Sequence, residues 1–258
     1  MTFASSLKFA ASLIFPKAEK KSSARRSLFG AMICIGLSVV PLIKVISVSD
    51  GMIDGMTERL IGLSSGHLQA YVASSIPEVK SSSDFREYAE ALMDIEGICS
   101  VYPEIDIAAL AAGKNMRAGI QIRAVEQNIF QKNASFRKFF TESSGSLSDF
   151  GSTSKSAVIG QKLSEELGLK AGDSFRVITT KTSGGDSKKI VPKLTTFKIS
   201  AVISSGYQEL DQFWVFIPLE SAYDSLSLEN AAYNILFQSI YYRQHFPEKV
   251  NHKLIPTE

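Results

Sequence analysis

The run LFGAMICIGLSVVPLIKVISVS, residues 28–49, most constrains what this 258-residue chain can become. A helix that crosses a bilayer needs about 20 mostly apolar residues, because its backbone groups must be satisfied inside the segment. This run has that length and holds one charge, Lys44, near its far end. A lysine there can carry its ammonium out to the interface. Pro41 is tolerable in a membrane helix. Arg25 and Arg26 stand just before the run, and Asp50 and Asp54 just after it. The positive-inside rule then makes residues 1–27 a cytoplasmic basic segment and puts everything after Ser49 outside. A cleaved signal peptide is the competing reading. Its apolar region spans about 7–15 residues and ends at a small-x-small site, whereas this run is longer, starts late and ends in SVSDG. An uncleaved anchor over residues 28–49 is the expectation.

Charge supports the same division. Residues 1–49 hold seven basic side chains against Glu19 alone, a net of +6 within a total of +2, so the remainder carries −4. The basic charge is an end effect and not a nucleic-acid surface. Phe3, Leu7, Phe9, Ala10, Leu13 and Ile14 fall near a helical period and predict an interfacial helix over residues 2–15.

Beyond the anchor, Ile53, Met56, Leu60, Ile61 and Leu63 keep helical spacing. A stalk helix over residues 50–66 is expected, ended by Gly62, Ser64, Ser65 and Gly66. Alternation at 67–73 predicts a strand, and DFREYAEALMDI at 84–95 an amphipathic helix. Strand-like runs at 98–112 and 116–124 are joined by Gly113-Lys114-Asn115, a hairpin signal. Phenylalanines 130, 136, 139 and 140 suggest a short helical stretch, and SSGSLSDFGSTSKS reads as a loop. A β-rich block follows: strands at 157–159, after the Lys170–Asp173 turn, at 195–204, 212–217 and 232–238, and helices at 161–167 and 218–226. The second helix is expected to carry Pro218 in its first turn. Residues 182–189 read as a Gly/Ser/Lys loop, and 241–258 as a polar tail. The fold class is therefore α+β. One N-terminal transmembrane helix precedes an extracytoplasmic domain over residues 67–240, with an antiparallel α+β subdomain and a β-rich insertion at about 150–226.

No catalytic constellation appears. His67, His245 and His252 have no Glu or Cys at metal-ligand spacing. Neither a phosphate loop, GxGxxG nor GxSxG is present. Cys34 and Cys99 form no CxxC or disulfide framework. Asp173-Ser174 reads as a turn, and Trp214 beside Phe213 and Phe216 as sheet packing. The expectation is no enzyme, no metal and no cofactor, with binding, scaffolding or mechanical transmission in their place.

Three stretches carry a family resemblance. ARRSLFGAMICIGLSVVPLIKVISVSDGMIDGMTERLIGLSSGHLQAY looks like a first helix, stalk and first strand. VIGQKLSEELGLKAGDSFRVIT looks like a repeated Gly-Leu-x-x-Gly-Asp turn and strand, and FKISAVISSGYQELDQFWVFIPLESAYDSL like the strand, Ser-Gly-Tyr turn, strand and helix that follow. Together these resemble a lipoprotein-releasing (LolC/LolE-type) ABC-transporter permease, within the wider MacB-like permease group. The resemblance implies an inner-membrane protein with its core domain in the periplasm. Its implied partners are a separate ABC ATPase subunit, a second permease subunit, a lipoprotein substrate, a periplasmic carrier and the membrane, with no nucleic acid. By position it implies a carrier-contacting hairpin at Lys188, Lys189, Ile190, Val191 and Pro192. Such permeases have three further membrane helices, and no second apolar run occurs here, so a truncated or split permease is expected. An exporter-type permease for other substrates and a single-pass anchored periplasmic binding or sensor domain are the alternative readings.

Overall fold

The computed structural model describes residues 23–65, 68–76, 79–114, 116–183 and 189–239. The interfacial helix expected at 2–15 and the polar tail at 241–258 lie outside these residues. Two compact units are present, Met1–Thr57 and Glu58–Glu258.

Helix α1, Ser23–Leu60, makes up the described part of the first unit and its last residues, from Glu58, belong to the second; it runs unbroken through the apolar run and most of the expected stalk, with Pro41 inside it. Its 38 residues give about 57 Å at 1.5 Å per residue, against roughly 30 Å for a hydrocarbon core. Between Ser27 and Thr57 its side chains are exposed, among them Leu28, Phe29, Leu37, Val40 and Leu42. Mean hydropathy reaches 2.3 in this helix. It is long and apolar enough to cross a membrane.

The second unit is built on one nine-stranded sheet. Its strands are β1 Leu68–Val72, β2 Ile98–Ala112, β3 Arg117–Val125, β4 Thr141–Gly145, β5 Ser156–Gly160, β6 Ser174–Ser183, β7 Lys189–Ser204, β8 Trp214–Pro218 and β9 Ala232–Ser239. The order is β1-β9-β2-β3-β8-β5-β7-β4, with β6 pairing both β2 and β7. The α+β class holds, and seven pairings are antiparallel. Two are parallel, β3 with β8 and β5 with β7. Each reaches its partner through a long crossover that includes helix, as parallel pairing requires. The residues of the β-rich block supply β5 to β8 to this same continuous sheet. The late strand β9 returns to lie between β1 and β2.

Strand alternation sorts the interior into two clusters, one on each face. On one face Ile105, Ile107, Ile122, Val215, Ile217 and Ile235 meet the buried sides of three helices. These are α2, Ser82–Ala91, with Phe85 and Ala89; α5, Gln161–Leu167, with Leu163 and Leu167; and α7, Leu219–Ser225, with Leu219 and Ala222. On the other face Val158, Ile203, Trp214 and Phe216 are covered by Phe130, Phe136, Phe140, Leu147 and Phe150. The short helices α3, Ile129–Lys132, and α4, Ala134–Arg137, carry part of that cover. A last short helix, α6, Gln208–Asp211, leads into β8.

Local chemistry sets several element ends. Ser81 caps α2, its Oγ accepting from the Asp84 N–H at 3.2 Å. The helix expected at 84–95 therefore begins two residues earlier, and it tightens into a 3₁₀ turn at Leu92–Asp94. Helix α5 ends on Gly168 at φ 66°, a left-handed position where a side chain is strained. Pro218 is not in the first turn of α7, contrary to expectation. It ends β8 in an extended conformation and stands as the N-cap residue. The last three residues of edge strand β4, Ser143 to Gly145, were expected to be loop; all five residues of the strand are exposed, so no buried face marked it in the sequence. The loop expected at 182–189 gives way to strand at both ends, since β6 runs to Ser183 and β7 starts at Lys189. Pro103 sits inside β2 where only β9 flanks it, because pairing with β3 begins at Ile105. One side of the strand is open there, which accommodates a residue with no N–H.

Candidate functional site

Two arrangements in the second unit suit binding or transmission: the anchorage of the stalk end, and the β6–β7 ribbon. The stalk helix loosens after Leu60 into a wider π-type turn, Ile61–Ser65. Such a helix end leaves its last carbonyls without intrahelical donors. One of them is claimed by the sheet. Arg123 Nη1 donates to the Leu63 carbonyl at 2.5 Å. Leu63 itself is 1% exposed and packs in the phenylalanine-rich cluster. Gly62 lies so close to the Phe139 ring that a Cβ there would overlap it. A second tie comes from Arg59, whose Nη1 donates to the Ser205 carbonyl at 3.4 Å. That turn is held by buried Asp211, which accepts from Ser204 Oγ and from the Ser205 N–H, both at 2.9 Å.

Arg123 is 3% exposed, and a buried charge needs its donors filled. Glu104 faces it from the neighbouring strand and accepts from Nε and, at 2.8 Å, from Nη2. This is the forked geometry that favours arginine over lysine. The guanidinium carbon sits 4.7 Å from the Trp214 ring centroid and 5.5 Å from that of Phe216. Burial opposes the arginine's charge, but Glu104 outweighs it and the pKa is raised. A cation at the stalk's carbonyl end also suits the helix dipole. Trp214, expected as sheet packing, is therefore packed in the sheet and also forms one wall of this charged site.

Asp106 lies opposite Arg123 in the β2–β3 register and accepts from Asn234 Nδ2 at 2.9 Å. Burial, then the nearby Glu104 carboxylate, push its pKa up to about 7 against a partial opposing effect of Arg123. Elsewhere Arg86 of α2 bridges Glu220 at 2.5 Å and Glu126 at 3.3 Å, joining α2 to α7 and to the end of β3.

The ribbon is the second arrangement. β6 and β7 pair from Ser174 with Lys198 out to Ser183 with Lys189. β6 meets β2 only at Arg176–Ile178, so the outer part of the hairpin is two-stranded. Its base is fixed by Thr195 Oγ1 donating to the Ser225 carbonyl at 2.7 Å and Lys193 Nζ to that of Leu226 at 3.2 Å. Of the candidate carrier-contacting residues, Lys189 and Ile190 lie in the paired strand, and Val191 and Pro192 are exposed on it. Lys188 lies outside the described residues, as do the three histidines. Asp173 accepts from Lys114 Nζ at 2.8 Å and from the Lys170 N–H at 3.0 Å, the turn role expected for it. Sequence reasoning missed Glu104, Arg123 and Asp106. Their signal was an acid, an acid and an arginine inside the otherwise apolar strands VYPEIDIAAL and AGIQIRAV.

A protein-family model described as MacB-like periplasmic core domain matches residues 28–242. The chain belongs to that family. Two solved structures are similar to it. One is the extracellular domain of the noncanonical ABC-type transporter YknZ from Gram-positive bacteria, with 14% identity and a TM-score of 0.43, covering 68% of this chain and 84% of that one. The other is the periplasmic region of MacB from Actinobacillus actinomycetemcomitans, with 12% identity and a TM-score of 0.36. That likeness covers 59% of this chain and 64% of the other, so under two thirds of the MacB region is spanned. No curated protein gives a significant match.

Two outcomes are expected for this MacB-like domain. Arg123→Met strands the buried Glu104 carboxylate and lowers unfolding free energy by about 3–5 kcal/mol. Adding Glu104→Leu recovers part of that loss, and leaves the Leu63 carbonyl unpaired; urea unfolding of the two variants measures the difference. Asp106 binds its proton more tightly in the native state than its ordinary value of 3.8. Native protein therefore holds more protons between about pH 4 and 7, and this contribution to stability declines as pH rises through that window. Asp106→Asn is expected to melt higher than the parent at pH 8 and to flatten the pH dependence. An unchanged slope from pH 5 to 8 would exclude this assignment.

Proposed function

We propose that the chain is a permease subunit of an ABC-type lipoprotein-releasing system, held in the cytoplasmic membrane by α1 with its N-terminus inside. It is not an enzyme. A separate ATPase subunit supplies the energy, and a second permease chain completes the path. The observation that carries this reading is the anchorage of the stalk end on Arg123, Leu63 and Arg59. A helix can transmit displacement only if its far end does not slip. Here that end is seated in a close-packed cluster, and packed interiors pass on strain with little compression. Family membership supports a permease subunit.

Released lipoprotein passes to a soluble carrier at the outer ribbon, through Lys188, Lys189, Ile190, Val191 and Pro192. A two-stranded ribbon with exposed Val191 offers backbone edges and side chains away from the main sheet. The second reading is an exporter permease that moves other substrates by the same transmission. It is favoured by the family description itself, which names the MacB-like group and no lipoprotein.

Purification of the full chain from membranes in mild detergent is expected to bring an ATPase subunit with it. Recovery of the chain with no ATPase would overturn the permease reading in both forms. Deletion of Gly184–Lys189 is expected to abolish carrier binding while leaving ATPase association intact; unchanged carrier binding would remove the ribbon as the contact.

A further inference from the structure

The sheet carries an exposed apolar row that its own helices do not cover. Leu110 of β2, Ile178 of β6 and Leu194 of β7 are direct cross-strand neighbours. Leu110 is 50% and Leu194 57% exposed, and Met116 beside them is 52% exposed. Two residues along the strands, Arg117 and Arg176 flank Ala112 in the next row on the same face. Both arginines are exposed, and neither forms an ion pair among the described residues. Asp173, just before β6, is already taken by Lys114 and the Lys170 N–H. Ile178, Leu194, Met116, Arg117 and Arg176 line a shallow groove with Ala112, Gly113 and Lys114, and Leu110 stands beside it as the cross-strand neighbour of Ile178. Its chemistry is an apolar strip with unneutralised positive charge at one side.

A surface of the opposite kind stands on the other layer of the domain. At the end of α2 and in the turn after it, Met93 is 46% and Ile95 52% exposed. In the same stretch of chain Glu87, Glu90, Asp94 and Glu96 are all exposed, with no ion pair among the described residues. Two exposed apolar side chains in an acidic stretch complement an apolar strip edged by free arginines. Apolar contact supplies the attraction, and the charges fix register and orientation.

We infer that the groove of Ile178, Leu194, Arg117 and Arg176, with Leu110 beside it, docks the acidic surface around Met93 and Ile95 of a second copy of this chain. The contact is head-to-tail, because the two surfaces differ. It therefore builds a row or a closed ring and not a two-fold pair. Exposed charges are screened by salt over about 8 Å at physiological ionic strength, so the contact is strongest in dilute buffer.

The test uses the full chain in detergent, with reductant present because Cys34 and Cys99 are exposed. Sedimentation is followed against protein concentration at low and high salt. Self-association that weakens with salt is expected. Arg117→Glu with Arg176→Glu is expected to weaken it about tenfold or more, and so is Glu90→Lys with Asp94→Lys. Mixed together, these two variants are expected to associate again, since the untouched acidic surface of one meets the untouched groove of the other. All four positions are exposed, so unchanged melting curves show that the fold persists. Association that ignores both the salt and the charge reversals would place the contact elsewhere, in α1 for example, and overturn the inference. A chain that stays monomeric at every concentration would overturn it too.

Discussion

A guanidinium removed from water costs several kcal/mol unless its donors and its charge are met. Arg123 meets that condition with groups from three separate parts of the chain: the Glu104 carboxylate of β2, the Leu63 carbonyl at the stalk end and the Trp214 and Phe216 rings of β8. None of these can move far without exposing or stranding the charge. The β2–β3 register, the parallel β3–β8 pairing and the seat of the stalk therefore depend on one another. The same group that makes this part of the interior polar also connects the stalk end to the sheet.

Around this point the domain is divided by strand alternation. Odd-numbered residues of β2, such as Ile105 and Ile107, enter the cluster beneath the helices, while Glu104 and Asp106 face the other way. Further along the same strand, Leu110 reaches open surface. One strand thus contributes a core, a buried charged site and an exposed apolar row. Its length of 15 residues is what allows this. The first part pairs with β9, the second with β3, and the last three residues also with β6.

The charged site has a further consequence in Asp106. An acid held near neutrality by burial and by Glu104 sits one cross-strand step from the residue that grips the stalk. Its ionisation changes the charge balance around Arg123 without touching the stalk directly.

Much of the architecture was legible in the residues. The apolar run and its flanking charges specify a helix long enough to cross a membrane, because length and desolvation decide that locally. The helix ending at Gly168 and the strand Ile98–Ala112 follow from glycine's left-handed freedom and from period-two patterning. The continuous sheet, the return of β9 between β1 and β2 and the two parallel pairings were not legible. Alternation states which face a side chain takes and not which strand lies beside it. For the same reason Glu104 and Arg123 read only as charges misplaced in apolar strands. The sequence by itself determined the anchor, the stalk and the local elements, since these rest on interactions between near neighbours in the chain. Only the tertiary structure decided that Arg123 meets Leu63, 60 positions away, because that contact exists only once the sheet has brought distant segments together.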